Sequence, residues 1–111
     1  MEKNLYDTSK LIQLYKSKGK KSVSGYTTIL NIIEFPKALE IGLVILYPSK
    51  SDYKLAIKIS TELLSIGKPI PAVDAIISAI AINNDLRVIT KDKHFLFVKD
   101  VVEDFKVIVE D

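Results

Sequence analysis

The chain contains no cysteine at all, which excludes a disulfide framework, a thiolate metal site and a thiol nucleophile. That usage fits an intracellular setting. No apolar run approaches the roughly 20 residues that a membrane helix needs. The opening Met1-Glu2-Lys3-Asn4 lacks a signal-peptide pattern, so a cytoplasmic protein with no membrane association is expected. Arginine and glutamine are also scarce: Arg87 and Gln13 are the sole examples of each. A lysine-rich, glutamine-poor composition leans toward a thermophile, although an AT-rich genome gives the same bias.

What is present is a core. Hydrophobic residues make up 48% of 111 residues, which rules out a mainly disordered chain. The length suits a single domain, 1–111, that buries its apolar side chains without covalent staples.

The element pattern alternates. Asn4-Leu5-Tyr6 reads as a short strand, and residues 9–15 as a short helix with apolar positions 11, 12, 14 and 15. A basic loop follows from Lys16 to Ser22. Ser24-Gly25-Tyr26-Thr27 offers caps for a second helix through Ile29, Leu30, Ile32, Ile33 and Glu34, with Pro36 kinking or stopping it. Residues 43–47 form a continuous apolar run ended by Pro48, read as a buried strand. Ser49 to Asp52 is a turn and cap, and the helix after it places Tyr53, Leu55, Ala56, Ile59, Leu63 and Leu64 on one face. Gly67 and Pro69 end that helix, and Pro71 suits the first turn of the next. Residues 72–83 are apolar nearly all round, with Ala75, Ser78 and Ala79 permitting close packing. Residues 86–90 and 105–109 read as strands, separated by an aromatic and charged segment with room for one short helix. Strands alternating with helices imply an α/β fold with a mainly parallel sheet.

Four acids stand against this apolar background: Asp7, Glu34, Asp74 and Asp92. Carboxylates are rarely buried unless paired or bound to a cation. Asp7 and Asp92 fall at strand ends, and ligands of open parallel sheets bind at the carboxyl ends of the strands. Asp74 lies in a first helical turn that can face the same edge. Glu34 shares a helical stripe with Thr27, Leu30 and Ala38. Converging carboxylates repel and raise one another's pKa values, and a divalent cation removes that strain. All-oxygen ligands suit Mg²⁺ or Mn²⁺, ions that activate water and stabilise the leaving oxygen of a phosphodiester. The residues alone leave bland alternatives open. Asp74 also complements a helix dipole, Asp92 also caps a turn, and Glu34 also suits an exposed helix face. If the four acids do converge, ten of the 14 acids face 16 basic residues elsewhere, an outer charge of about +6 suited to a polyanion. The basic loop could track such a backbone, but it holds no aromatic residue to stack bases.

Three stretches resemble PIN-domain ribonucleases, and among them VapC-type toxins. They are Asn4-Leu5-Tyr6-Asp7-Thr8-Ser9, the run from Thr27 to Glu34, and Gly67 to Ala81 continuing through Leu86 to Phe95. The resemblance covers nearly the whole chain, and the order and spacing of these motifs carry it. It implies a PIN-like three-layer fold whose mainly parallel, about five-stranded sheet is flanked by helices. It further implies a Mg²⁺- or Mn²⁺-dependent endoribonuclease that is the toxin of a toxin–antitoxin pair. Asp7, Glu34, Asp74 and Asp92 carry over as the acidic set, with Asp7, Asp74 and Asp92 as metal ligands. Thr8 or Ser9 would support the first acid and Thr90 the last. A small antitoxin and an RNA substrate are the implied partners, with a homodimer a further possibility. The chain departs from the family pattern at three places. His94 stands where a second Asp is common, and reads as an exposed loop histidine or a phosphate contact. Lys10 replaces an apolar position, as a solvated residue or a phosphate contact. The segment from Glu34 to Leu43 is short, so the helical arm that shapes dimer and groove in many members is reduced. Two further readings stay open: a non-catalytic PIN scaffold that binds RNA or protein, and a housekeeping RNA-processing or DNA-repair nuclease.

Overall fold

The computed structural model describes residues 3–17 and 23–111. Most of the basic loop falls outside them; Lys16 and Ser17 are its described members.

Chain order is β1 (Asn4–Tyr6), α1 (Thr8–Lys16), β2 (Tyr26–Thr28), α2 (Ile29–Glu34), a 3₁₀ turn (Pro36–Ile41), β3 (Val44–Leu46), α3 (Lys50–Ser65), α4 (Ala72–Asn83), β4 (Arg87–Thr90), α5 (Phe95–Val98) and β5 (Val107–Val109). The five strands form one sheet in the order β3-β2-β1-β4-β5, and every pairing is parallel. Side chains alternate between the sheet's two faces. Leu5 enters a large core with Ile59, Leu63, Ile77, Ile80 and Val88, built on α3 and α4. Tyr6 packs instead against a smaller core around Leu11, Ile32 and Ala38, built on α1, α2 and the 3₁₀ turn. The result is three layers, helix–sheet–helix. No helix among the described residues is long and apolar enough to cross a membrane.

Local chemistry sets the helix ends. Ser49 caps α3 in a reciprocal box: its hydroxyl accepts from Asp52 N (3.3 Å) while its own N–H donates to Asp52 Oδ2 (2.8 Å). Asp52 is itself buried, and its second oxygen accepts from Asn83 Nδ2 at 2.7 Å, joining the start of α3 to the end of α4. Small residues let α4 sit deep: Ala75, Ser78, Ala79 and Ala81 are at most 1% exposed.

The structure corrects several expectations. Residues 24–27 are not a cap. Tyr26–Thr28 is the fifth strand, paired with β1 and β3, and Thr28 is the residue that caps α2. Glu34 therefore shares no helical stripe with Thr27, which is in β2, or with Ala38, which is in the 3₁₀ turn. The 43–47 run is not a buried strand. It lies at the sheet edge, where Val44 is 54% and Tyr47 67% exposed. The buried face of α3 is narrower than expected: Asp52, Ala56, Ile59 and Leu63 point inward, while Tyr53 and Leu64 are exposed. Pro71 occupies the capping position one residue before α4, not its first turn.

Gly25 enters β2 at φ +143°, and a Cβ there would meet Tyr6 Cε2 at 2.8 Å and Asn4 O at 3.1 Å. Both the backbone region and the space exclude a side chain. Gly25→Ala should therefore cost about 2 kcal/mol, read as a lowered urea midpoint with an unchanged slope. An unchanged midpoint would refute this reading of the β1–β2 junction.

Candidate metal centre

The chain winds outward from β1 to β2 and β3, then returns to place β4 on the other side of β1. The point of reversal, between β1 and β4, is where parallel sheets open a crevice at their carboxyl ends. Asp7 follows β1 and Asp92 follows β4, so both lie at that edge of the sheet. The register Tyr6↔Ile89 and the bond from Asp7 N to Ile89 O (3.0 Å) fix their relative height.

Asp7 is 6% exposed. Its carboxylate accepts from Thr90 Oγ1 at 2.8 Å and Asn31 Nδ2 at 2.9 Å, and also from the Thr8 backbone N–H. Burial nevertheless pushes its pKa above the ordinary value, with the Glu34 charge adding to the rise and the three hydrogen bonds opposing it. Asp74 comes from the first turn of α4. Its pKa is raised from 3.8 to about 7, first by burial and then by the charges of Asp7, Asp92 and Glu34, with His94 pulling it down. Four acids from four elements thus act on one another through a shared, partly desolvated space.

Thr90, fully buried, joins two of them. Its hydroxyl donates to Asp7 and accepts from Asp92 N at 3.0 Å. The sequence assigned it to the last acid alone. The Asp92 carboxylate accepts from His94 N at 2.9 Å, and the same oxygen lies 3.1 Å from His94 Nδ1. Glu34 is exposed at the end of α2, where it accepts from Thr8 Oγ1 at 2.5 Å. The Thr8 side chain therefore serves Glu34, and Asp7 receives only its backbone N–H. Ser9 does not reach Asp7 either: its hydroxyl accepts from Lys91 N at 2.9 Å and lies 3.5 Å from Thr90 Oγ1. Lys10 is neither solvated alone nor open toward a phosphate, because Nζ bonds to Glu110 at 2.8 Å and Gln13 at 2.9 Å.

The sequence reading missed Asn31. This residue is fully buried, donates to both Asp7 and Thr8 Oγ1 (3.0 Å), and accepts from Thr28 Oγ1 at 2.6 Å. Its signal was present: one amide in the apolar run 29–33, three residues after a capping threonine.

Among the described residues, one group offers three ligand atoms within 4.8 Å of one another: Asp74, Asp92 and His94. It includes His94, which the expected ligand list left out, and not Asp7. Two carboxylates and an imidazole, with a third carboxylate behind them, form a donor set that a divalent cation fits. The charge of such an ion offsets the repulsion that raises Asp74.

The sequence matches no protein-family model and no curated protein. Solved structures do share its fold. A chain of the DNA-bound VapBC structure from Salmonella typhimurium aligns with a TM-score of 0.75 at 17% identity, over 98% of both chains. A chain of VapBC2 from Rickettsia felis, bound to a DNA fragment from its promoter, gives 0.74 at 15% identity, over 97% of this chain and 98% of that one. A chain of FitAcB from Neisseria gonorrhoeae gives 0.70 at 20%, over 94% and 95%. At these identities the likeness is one of fold. The five-stranded parallel sheet flanked by helices is the PIN-like α/β architecture that the resemblance implied.

Proposed function

We propose that this chain is a metal-dependent endoribonuclease and the toxin of a toxin–antitoxin pair. The observation that carries the reading is Asp74, a carboxyl raised to about 7 by burial and by three other acids at the sheet's switch point. A fold has no structural need to assemble mutually repelling carboxylates, and strongly perturbed groups in a crevice mark functional sites. The fold likeness to VapBC and FitAcB structures supports the toxin assignment and an antitoxin as partner, and RNA as substrate is part of the proposal. It leaves open a homodimer.

Asp74 and Asp92 would hold the ion, with Asp7 adding charge behind them. When bound, Mg²⁺ or Mn²⁺ supplies Lewis acidity to a phosphodiester. The chain's own residues do the rest. Thr90 and Asn31 fix the Asp7 carboxylate in one orientation. Glu34, exposed and held by Thr8, would take the proton of the attacking water as the P–O ester bond breaks, and the departing oxygen would take its proton from solvent. Chemistry of this kind needs no nucleophilic side chain.

The test is cleavage of single-stranded RNA by the purified protein. Cleavage should require Mg²⁺ or Mn²⁺, stop with EDTA and vanish in Asp7→Asn. Activity surviving both treatments would overturn the mechanism. Induced expression should arrest growth, and Asp74→Asn should relieve the arrest; equal arrest by that variant would argue against the toxin role.

A further inference from the structure

We infer that His94 is a nitrogen ligand, and that it makes this centre select Mn²⁺ over Mg²⁺. The inference rests on the metal-dependent reading above and adds the identity of the ion. Three observations converge on it. First, His94 Nδ1 lies 3.1 Å from Asp92 Oδ1. Two adjacent ligands on an ion with bonds of about 2.1 Å stand about 3.0 Å apart, so the pair already has the spacing of neighbouring ligands. Second, the His94 backbone is held in place beside Asp92. The His94 N–H is tied to Asp92, the next residue Phe95 is fully buried, and the ring lies 6.0 Å from that of Phe97. Asp74 reaches the same space from α4, so the three donors come from two separate elements. Third, Asp7 lies outside the three-donor group, held to one side by two hydrogen bonds. One oxygen of Asp7 receives Asn31 and the other receives Thr90.

The donor type then decides the ion. Mg²⁺ is a hard cation that takes oxygen ligands and keeps its waters. Imidazole suits transition-metal ions better than Mg²⁺, and of the two ions considered Mn²⁺ alone belongs to that series. A carboxylate at position 94 would leave an all-oxygen centre open to Mg²⁺. A histidine there tilts the balance toward Mn²⁺ without closing the site.

The full-length protein is titrated with Mn²⁺ and separately with Mg²⁺ by calorimetry, and the Mn²⁺ complex is examined by pulsed electron paramagnetic resonance for ¹⁴N coupling. The parent should bind Mn²⁺ at least about tenfold more tightly than Mg²⁺ and show ¹⁴N modulation. His94→Gln should weaken Mn²⁺ by about tenfold and lose the modulation. His94→Asp should raise Mg²⁺ affinity and narrow the preference. The His94 side chain is 51% exposed, so His94→Gln should melt close to the parent, whereas His94→Asp should melt lower without metal because it adds a carboxylate beside Asp74. Mn²⁺ binding without ¹⁴N coupling, unchanged in His94→Gln, overturns the role of His94 and leaves the nuclease reading standing. Absence of divalent-ion binding by the parent overturns both.

Discussion

In EDTA at pH 8, Asp74→Asn should melt roughly 5–10 °C above the parent protein, and at pH 4 the two should melt together. The direction follows from the raised carboxyl. A group whose folded pKa lies above its unfolded value contributes stability that is fully present below the unfolded value, and this is lost as pH rises through the folded one. For Asp74 those limits are 3.8 and about 7, so the parent loses stability across that window. A shift of that size corresponds to about 4 kcal/mol at full weight. Asp74 is only partly buried, and screening reduces this to about 1–2 kcal/mol. Asparagine cannot ionise and escapes the loss. In the proposed mechanism the same substitution removes a ligand, so Mn²⁺ should stabilise the parent but not the variant, and RNA cleavage should fall at least about 100-fold. Melting curves from pH 4 to pH 8, with and without Mn²⁺, read all of this. Parallel pH profiles for parent and variant would show that the Asp74 carboxyl is not raised in the folded state.

Asn31→Asp should lower the melting temperature by more than about 10 °C at pH 8 and recover much of that loss by pH 5. The substitution keeps the shape and the acceptor that Thr28 uses, but it sets an oxygen where Nδ2 stands 2.9 Å from Asp7. Two buried carboxylates at that distance cannot both ionise, so the folded state must take up a proton. An unpaired buried charge costs about 3–5 kcal/mol. The stability conferred by that proton is present at low pH and lost as pH rises, the same sign as for Asp74. Asn31→Ala removes the amide without adding charge. It should cost about 2 kcal/mol, with a weaker pH dependence than Asn31→Asp, because Asp7 loses one of the bonds that favour its charged form. Equal pH dependence in the two variants would mean that Asn31 does not hold Asp7.

The acids were legible because their neighbours are. Leu5 and the 86–90 run announce strands, so Asp7 and Asp92 fall at strand ends without further information. Asp74, three residues after Pro71, announces a first helical turn. Three-residue β2 gave no comparable signal. Period-two alternation needs more positions than Tyr26–Thr28 provides, and its threonines resemble caps. One of them, Thr28, does cap α2, but from the end of a strand. The fifth strand came from the resemblance alone. An apolar run also cannot tell a central strand from an edge, which is how the 43–47 segment came to be read as buried. Burial of an acid proved a weak guide to its role. Asp52 is as buried as Asp7, yet it closes a capping box and holds Asn83. Partners separate the two residues: Asp52 answers to one helix cap and one amide, whereas Asp7 answers to a cluster of like charges.

The pairing of β1 with β4 also sets an order of events. Asn4 meets Arg87 and Tyr6 meets Ile89, contacts that span most of the chain, and the Thr90 hydroxyl reaches Asp7 across 83 positions. Local elements such as α3 and α4 can form from near neighbours, while such distant strand pairing waits for loop closure. During synthesis β4 is among the last strands to emerge, and until it slots beside β1 the acids remain scattered along an open chain. The cluster of acids is therefore assembled only when the final strands lock in.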